Sequence, residues 1–140
     1  MITIEQYFGT KLHREDATEE RKEHARILLE CVNALLAEAE EHGIHIPKDP
    51  DTGCQISGAK DGHGDGGFRL SNSATGKPGS AHKEGMAVDV FDPDNRLDDW
   101  ISRDILIKYG LYREARQWTL GNWCHLQTRE PRSHMRSFNP

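Results

Sequence analysis

Pro47, Pro50, Gly53, Gly58, Gly62, Gly64, Gly66, Gly67, Gly76, Pro78 and Gly79 crowd residues 44–79. Proline removes a backbone donor, and glycine costs about 1 kcal/mol in a helix interior. No long helix crosses this stretch, and only short strands fit it, around residues 54–57 and 67–70. The flanks read differently. Residues 18–42 carry Ala25, Leu28, Val32, Leu35 and Ala39 at helical spacing, with Leu29 and Leu36 widening the stripe. Thr18 can cap this helix, Glu19 and Glu20 suit its positive end, and Gly43 suits its stop. Residues 1–15 form a short lead with Tyr7 and Phe8 as anchors. Beyond the glycines, 86–91 alternates as a strand, 97–109 reads as one helix closed by Gly110, and 123–128 reads as a last strand. The expectation is a loop-rich α+β fold in one domain, residues 1–140.

At 140 residues and 35% hydrophobic content, the chain can bury a modest core. Its net charge of -5 lacks the basic face of a nucleic-acid binder, apart from a mildly basic run at 129–136. Cys31, Cys54 and Cys124 form no CxxC and no disulfide framework, as suits a reducing compartment. Met1-Ile2-Thr3-Ile4-Glu5 has neither a basic nor an apolar signal region, and no apolar run approaches the ~20 residues of a membrane span. Synthesis in the cytoplasm and a monomeric state are expected.

The chemistry concentrates in Ser80-Ala81-His82-Lys83-Glu84-Gly85-Met86-Ala87-Val88-Asp89, with His125 following inside Trp123-Cys124-His125-Leu126-Gln127. Two imidazoles and a carboxylate suffice to hold Zn2+ with one position open, the arrangement of a catalytic zinc site. Asp89 and His125 each fall inside an apolar strand, where an unpartnered polar group is costly. Gly85 allows a tight turn between the first two ligands, and Ala87 leaves room beside the metal. The plainer reading makes all three ordinary polar residues of loops and strands.

The pattern Ser80-x-His82-x-x-Gly85-x-Ala87-x-Asp89, followed by Trp123-x-His125, resembles the zinc D-alanyl-D-alanine carboxypeptidase family. That family includes bacteriophage endolysins that cut peptidoglycan stem peptides, and it shares its fold with the Hedgehog signalling domain. The resemblance spans residues 53–128, roughly half of the chain. It implies a small antiparallel sheet with flanking helices, zinc on His82, Asp89 and His125, and amide hydrolysis. It also implies that Arg69, in Gly67-Phe68-Arg69, contacts the substrate. A guanidinium fork suits a carboxylate or an oxyanion, whereas the plainer reading is a surface arginine in a turn.

The pattern departs from the family at the catalytic base. Relatives place an acid three residues before the last histidine or an Asp two residues after it; here those positions are Asn122 and Gln127. Glu114, in Tyr112-Arg113-Glu114, is the best substitute as base, and Glu84 is a weaker candidate. Either one reads equally as a solvated glutamate. Ser80 and Trp118 are candidate substrate contacts, with Ser80 and Lys83 as ligand-orienting neighbours. Trp123 reads as core, and Cys124 points away from the ligands by strand alternation. His13, His24, His42, His45, His63 and His134 read as surface residues. The resulting expectation is a zinc peptidase of peptidoglycan peptides, acting on the cell wall if it is a phage lysis or virion enzyme. The alternative is a non-catalytic zinc-binding structural or virion module.

Overall fold

The computed structural model describes residues 1–58, 66–73, 79–116 and 122–140. Its long helix, α2 (Glu19–Glu41), is the one the apolar stripe marks. Thr18 Oγ accepts the Arg21 N–H at 3.2 Å, and Ala25, Leu28, Leu29, Val32, Leu35, Leu36 and Ala39 are buried. A shorter helix, α1 (Ile4–Phe8), precedes it, followed by a 3-10 turn at Gly9–His13. The expected lead is thus ordered by a capping box between Thr3 and Gln6. Tyr7 and Phe8 are the anchors expected of them: both are buried, and the Tyr7 hydroxyl donates to the Ala87 carbonyl at 2.8 Å.

Four strands are present among the described residues: β1 (Ala87–Phe91), β2 (Tyr112–Glu114), β3 (Trp123–Gln127) and β4 (Ser137–Phe138). They lie in the order β1-β3-β2-β4. The sheet corrects the antiparallel expectation. β3 runs antiparallel to both β1 and β2, but β4 joins β2 in parallel. A two-residue strand carries no period-2 signal, so its pairing cannot be read from sequence. The strands expected at 54–57 and 67–70 are also absent. Ile56 makes one isolated bridge to Val90, while Gly67–Leu70 runs as irregular backbone.

The single helix expected over 97–109 is two helices, α3 (Arg96–Trp100) and α4 (Arg103–Tyr109). Ile101 takes an extended conformation, and Ser102 Oγ caps α4 by accepting from Ile105 N–H at 3.2 Å. The break leaves carbonyls at the end of α3 without helical partners. Arg113 of β2 takes them, donating to Asp98 O at 2.8 Å and Ile101 O at 2.9 Å. The same guanidinium donates to Ser137 Oγ at 2.9 Å, so one side chain ties β2 to the helix break and to β4.

Strand alternation divides the sheet into two faces. Val88, Val90, Cys124 and Leu126 join one apolar cluster with the buried side of α2, Leu97, Leu106 and Leu111. Burial of each such side chain contributes about 1.5–3 kcal/mol. Asp89, His125 and Gln127 lie on the opposite face and are buried as well. No helix among the described residues is long and apolar enough to cross a membrane.

Candidate metal centre

Asp89 and His125 are directly opposed in the β1–β3 ladder. Opposed residues of an antiparallel pair hold their side chains close enough to touch, and His125 Nδ1 lies 2.8 Å from Asp89 Oδ1. The other edge of β1 is also occupied. Asp89 N–H donates to Gly66 O at 2.8 Å, and Ser57 N–H donates to Asp89 O at 2.8 Å. Both main-chain groups of Asp89 are therefore held at the outer edge of β1, while its side chain meets His125 across the ladder.

His82 arrives from a 3-10 turn, Ala81–Glu84, whose N-terminal end is capped by Ser80 Oγ accepting from His82 N–H at 3.3 Å. Gly85 closes the turn at φ 74, a left-handed conformation that favours glycine. A Cβ there would also stand 2.5 Å from the Arg21 carbonyl on α2. α2 grips the same turn through side chains. His24 Nδ1–H donates to Glu84 O at 2.9 Å, and Arg21 pairs with Glu84 at 3.5 Å. His24 is thus half-buried and structural rather than a surface histidine. Lys83 is buried, and its ammonium donates to Ser71 O at 3.3 Å and Ser73 O at 3.1 Å.

The protonation pattern at His82 is informative. Its Nδ1 lies 2.9 Å from the Gly67 carbonyl. A carbonyl only accepts, so Nδ1 carries the proton and Nε2 presents a lone pair. Burial pushes the His82 imidazole below its ordinary value, which keeps it neutral, despite the nearby Asp89 charge. Nε2 nevertheless lies 3.3 Å from Asp89 Oδ1. Burial would raise the Asp89 carboxyl, but the two imidazoles, His82 first, hold it well below the usual carboxylate range. His82 Nε2 and Asp89 Oδ1 thus face each other in a buried site, and a cation between them would satisfy both.

His125 supplies the third donor. Burial alone would lower its pKa, but the bond to Asp89 and the charges of Asp89 and Glu114 raise it. His82 Nε2, Asp89 Oδ1 and His125 Nδ1 are the donor atoms that converge, and the His82-Asp89-His125 group could hold a metal ion, with ligand atoms within 4.8 Å of one another. The two oxygens of Asp89 divide their tasks. Oδ1 faces the histidines, while Oδ2 accepts from Arg69 at 3.4 Å. Arg69 is placed by its own N–H, which donates to His82 O at 3.2 Å.

The other expected residues fall as follows. Glu114 reaches the cluster, with Oε2 at 3.6 Å from His125 Nδ1. The Glu84 carboxylate turns toward Arg21 on α2 instead, and its main-chain carbonyl accepts from His24. Ser80 serves as the cap of the His82 turn. Trp123 is half-buried rather than core. Trp118 and His63 lie outside the described residues. A cleft of about 390 Å³ lined by His13, Arg14, Glu15, Asp16, Leu70 and Asn72 contains none of the three donors.

One participant was not anticipated. Gln127 contacts His125 Nε2 through Oε1 at 2.8 Å. Its place two residues beyond His125 on the same strand face was the available signal. No family model, curated protein or solved structure matches the chain.

Proposed function

We propose that this chain is a zinc-dependent peptidase that hydrolyses amide bonds in peptidoglycan stem peptides, of the D-Ala-D-Ala carboxypeptidase or L,D-endopeptidase type. The observation that carries the reading is the convergence of His82 Nε2, Asp89 Oδ1 and His125 Nδ1 in a buried site, with Glu114 beside them. Two imidazoles and one carboxylate suit zinc and leave room for an exchangeable position. The substrate class rests on the resemblance of the 80–89 and 123–125 motifs.

Zinc, when bound, supplies a Lewis acid for the scissile carbonyl and lowers the pKa of water. Glu114 is the base. Its carboxylate takes a proton from the attacking water as the new C–O bond forms, then delivers it to the departing amine as the C–N bond breaks. The Arg113 bonds to the α3 end and to Ser137 fix β2, and with it the neighbouring Glu114. Arg69 holds Asp89 Oδ2 and offers a planar guanidinium to a substrate carboxylate or oxyanion.

Glu114→Gln tests this reading. Zinc is expected to remain at one equivalent while cleavage of purified muropeptides falls about 10²–10⁴-fold. Full activity in that variant, or in protein stripped of zinc by a chelator, would contradict it. A non-catalytic zinc-binding structural or virion module is the second reading. It is favoured by the 3.6 Å approach of Glu114 to His125 Nδ1, which would let the carboxylate fill the fourth position. That reading predicts no cleavage by the wild type and weaker zinc binding in Glu114→Gln.

A further inference from the structure

Gln127 is buried, 5% exposed, and both ends of its carboxamide are engaged. Its Nε2 donates to the Arg129 carbonyl at 2.7 Å, and its Oε1 lies 2.8 Å from His125 Nε2. The Arg129 carbonyl only accepts, so the amide nitrogen must face it. The amide oxygen is thereby turned toward His125. That oxygen also only accepts, so His125 must carry a proton on Nε2. The remaining nitrogen, Nδ1, is the one directed at Asp89 Oδ1.

We infer that Gln127, oriented by the Arg129 carbonyl, is a positioning residue that commits His125 to bind metal through Nδ1. The inference rests on the reading that His82, Asp89 and His125 hold a metal. Outer partners of a ligating imidazole set its tautomer and ring orientation. At His82 a main-chain carbonyl, Gly67 O, does this from the Nδ1 side, so Nε2 is left for the metal. At His125 the polarity is reversed, and a side-chain amide does it from the Nε2 side. Glutamine suits this place because it donates and accepts at once. A glutamate could still accept from His125, but it would set a carboxylate oxygen against the Arg129 carbonyl.

The test uses zinc-loaded, 15N-labelled full chain. Long-range 1H–15N correlation spectra identify the protonated nitrogen of each ring, and chelator competition gives zinc affinity. The wild type is expected to show His125 protonated at Nε2 and metal-bound at Nδ1, with His82 the reverse. Gln127→Met removes the acceptor at similar length. It is expected to weaken zinc binding about 10–100-fold and to lose the protected His125 Nε2–H signal. Gln127→Glu keeps an acceptor and is expected to retain that signal, with affinity closer to wild type than in the methionine variant. A wild-type spectrum with metal on His125 Nε2 overturns the inference without any variant. So does Gln127→Met with affinity within about twofold of wild type. Should Gln127→Met not fold, loss of the Nε2–H signal in Gln127→Glu overturns it and retention supports it. A wild type that takes up no zinc refutes the metal reading itself, whereas zinc held through the wrong nitrogen refutes only the role of Gln127.

Discussion

Asp89 and His125 come from paired strands, whereas His82 and Arg69 come from irregular backbone, yet all four converge on one buried site. On the strand side, ladder bonds set the geometry, and a register slip would turn both ligands to the opposite face. On the loop side, close approaches and side-chain clamps substitute for a ladder. A Cβ on Gly67 would stand 2.3 Å from the Tyr7 carbonyl, and one on Gly85 2.5 Å from the Arg21 carbonyl. Lys83, His24 and Arg21 complete the grip. The strand side therefore holds its ligands through the same bonds that make the sheet. The loop side holds them through contacts that also pack the loops onto α1 and α2. Function and folding should separate on the first side and remain coupled on the second.

The largest effect is expected on the strand side. Asp89→Ala removes the one anionic ligand and should weaken zinc binding roughly a thousandfold, about a third of the ~10–16 kcal/mol typical of structural zinc sites. The metal-free variant should stay folded, because the main-chain bonds at position 89 remain. Zinc titration and circular dichroism check both points, and collapse of the fold would break the contrast.

Gly67→Ala is the counterpart on the loop side. Overpacking against Tyr7 should cost about 2–3 kcal/mol of folding stability, read from urea denaturation. Zinc affinity should fall with it, since the Gly67 carbonyl orients His82. A variant that loses stability but binds zinc as before would show that the loop side does not place its ligand.

A smaller effect sharpens the same contrast through protons. In the metal-free protein the buried His82 is held below its ordinary value and Asp89 well below its own, so neither binds a proton near neutrality. The His125 pKa is raised above 6.5, against the effect of burial, chiefly by its bond to Asp89. Zinc bound in the proposed site would therefore displace one proton, from the strand-side histidine. Near pH 6.5, calorimetry in buffers of different ionisation enthalpy should give about one proton released per zinc. Affinity should fall about tenfold for each pH unit below the His125 pKa, about 1.4 kcal/mol per unit. Release of two protons would mean that His82 is protonated as well.

The same division governs what was legible in the sequence. α2 was readable because seven buried positions repeat over 23 residues between a threonine cap and a glycine. β1 and β3 were readable because Val88 and Val90, or Cys124 and Leu126, alternate with the ligands. The turn carrying His82 was visible as a motif but not as a shape, since its form depends on contacts with Tyr7, Arg21 and His24. The helix break at Ile101 and Ser102 was hidden because isoleucine fits the helical stripe and serine is tolerated inside a helix. Only the distant Arg113 reveals what the break is for. Glu114 was reached by eliminating Asn122 and Gln127 as acids, and it does lie beside the cluster. Gln127 read only as a missing acid, because its value lies in a carboxamide that donates and accepts at once.

The most direct measurement is zinc-edge X-ray absorption on protein loaded with one equivalent of metal. Two imidazoles and oxygen donors are predicted at about 2.0–2.2 Å, with no sulfur. A sulfur shell at about 2.3 Å, which would bring Cys54 or Cys124 to the metal, would contradict the account, and so would a spectrum with a single imidazole.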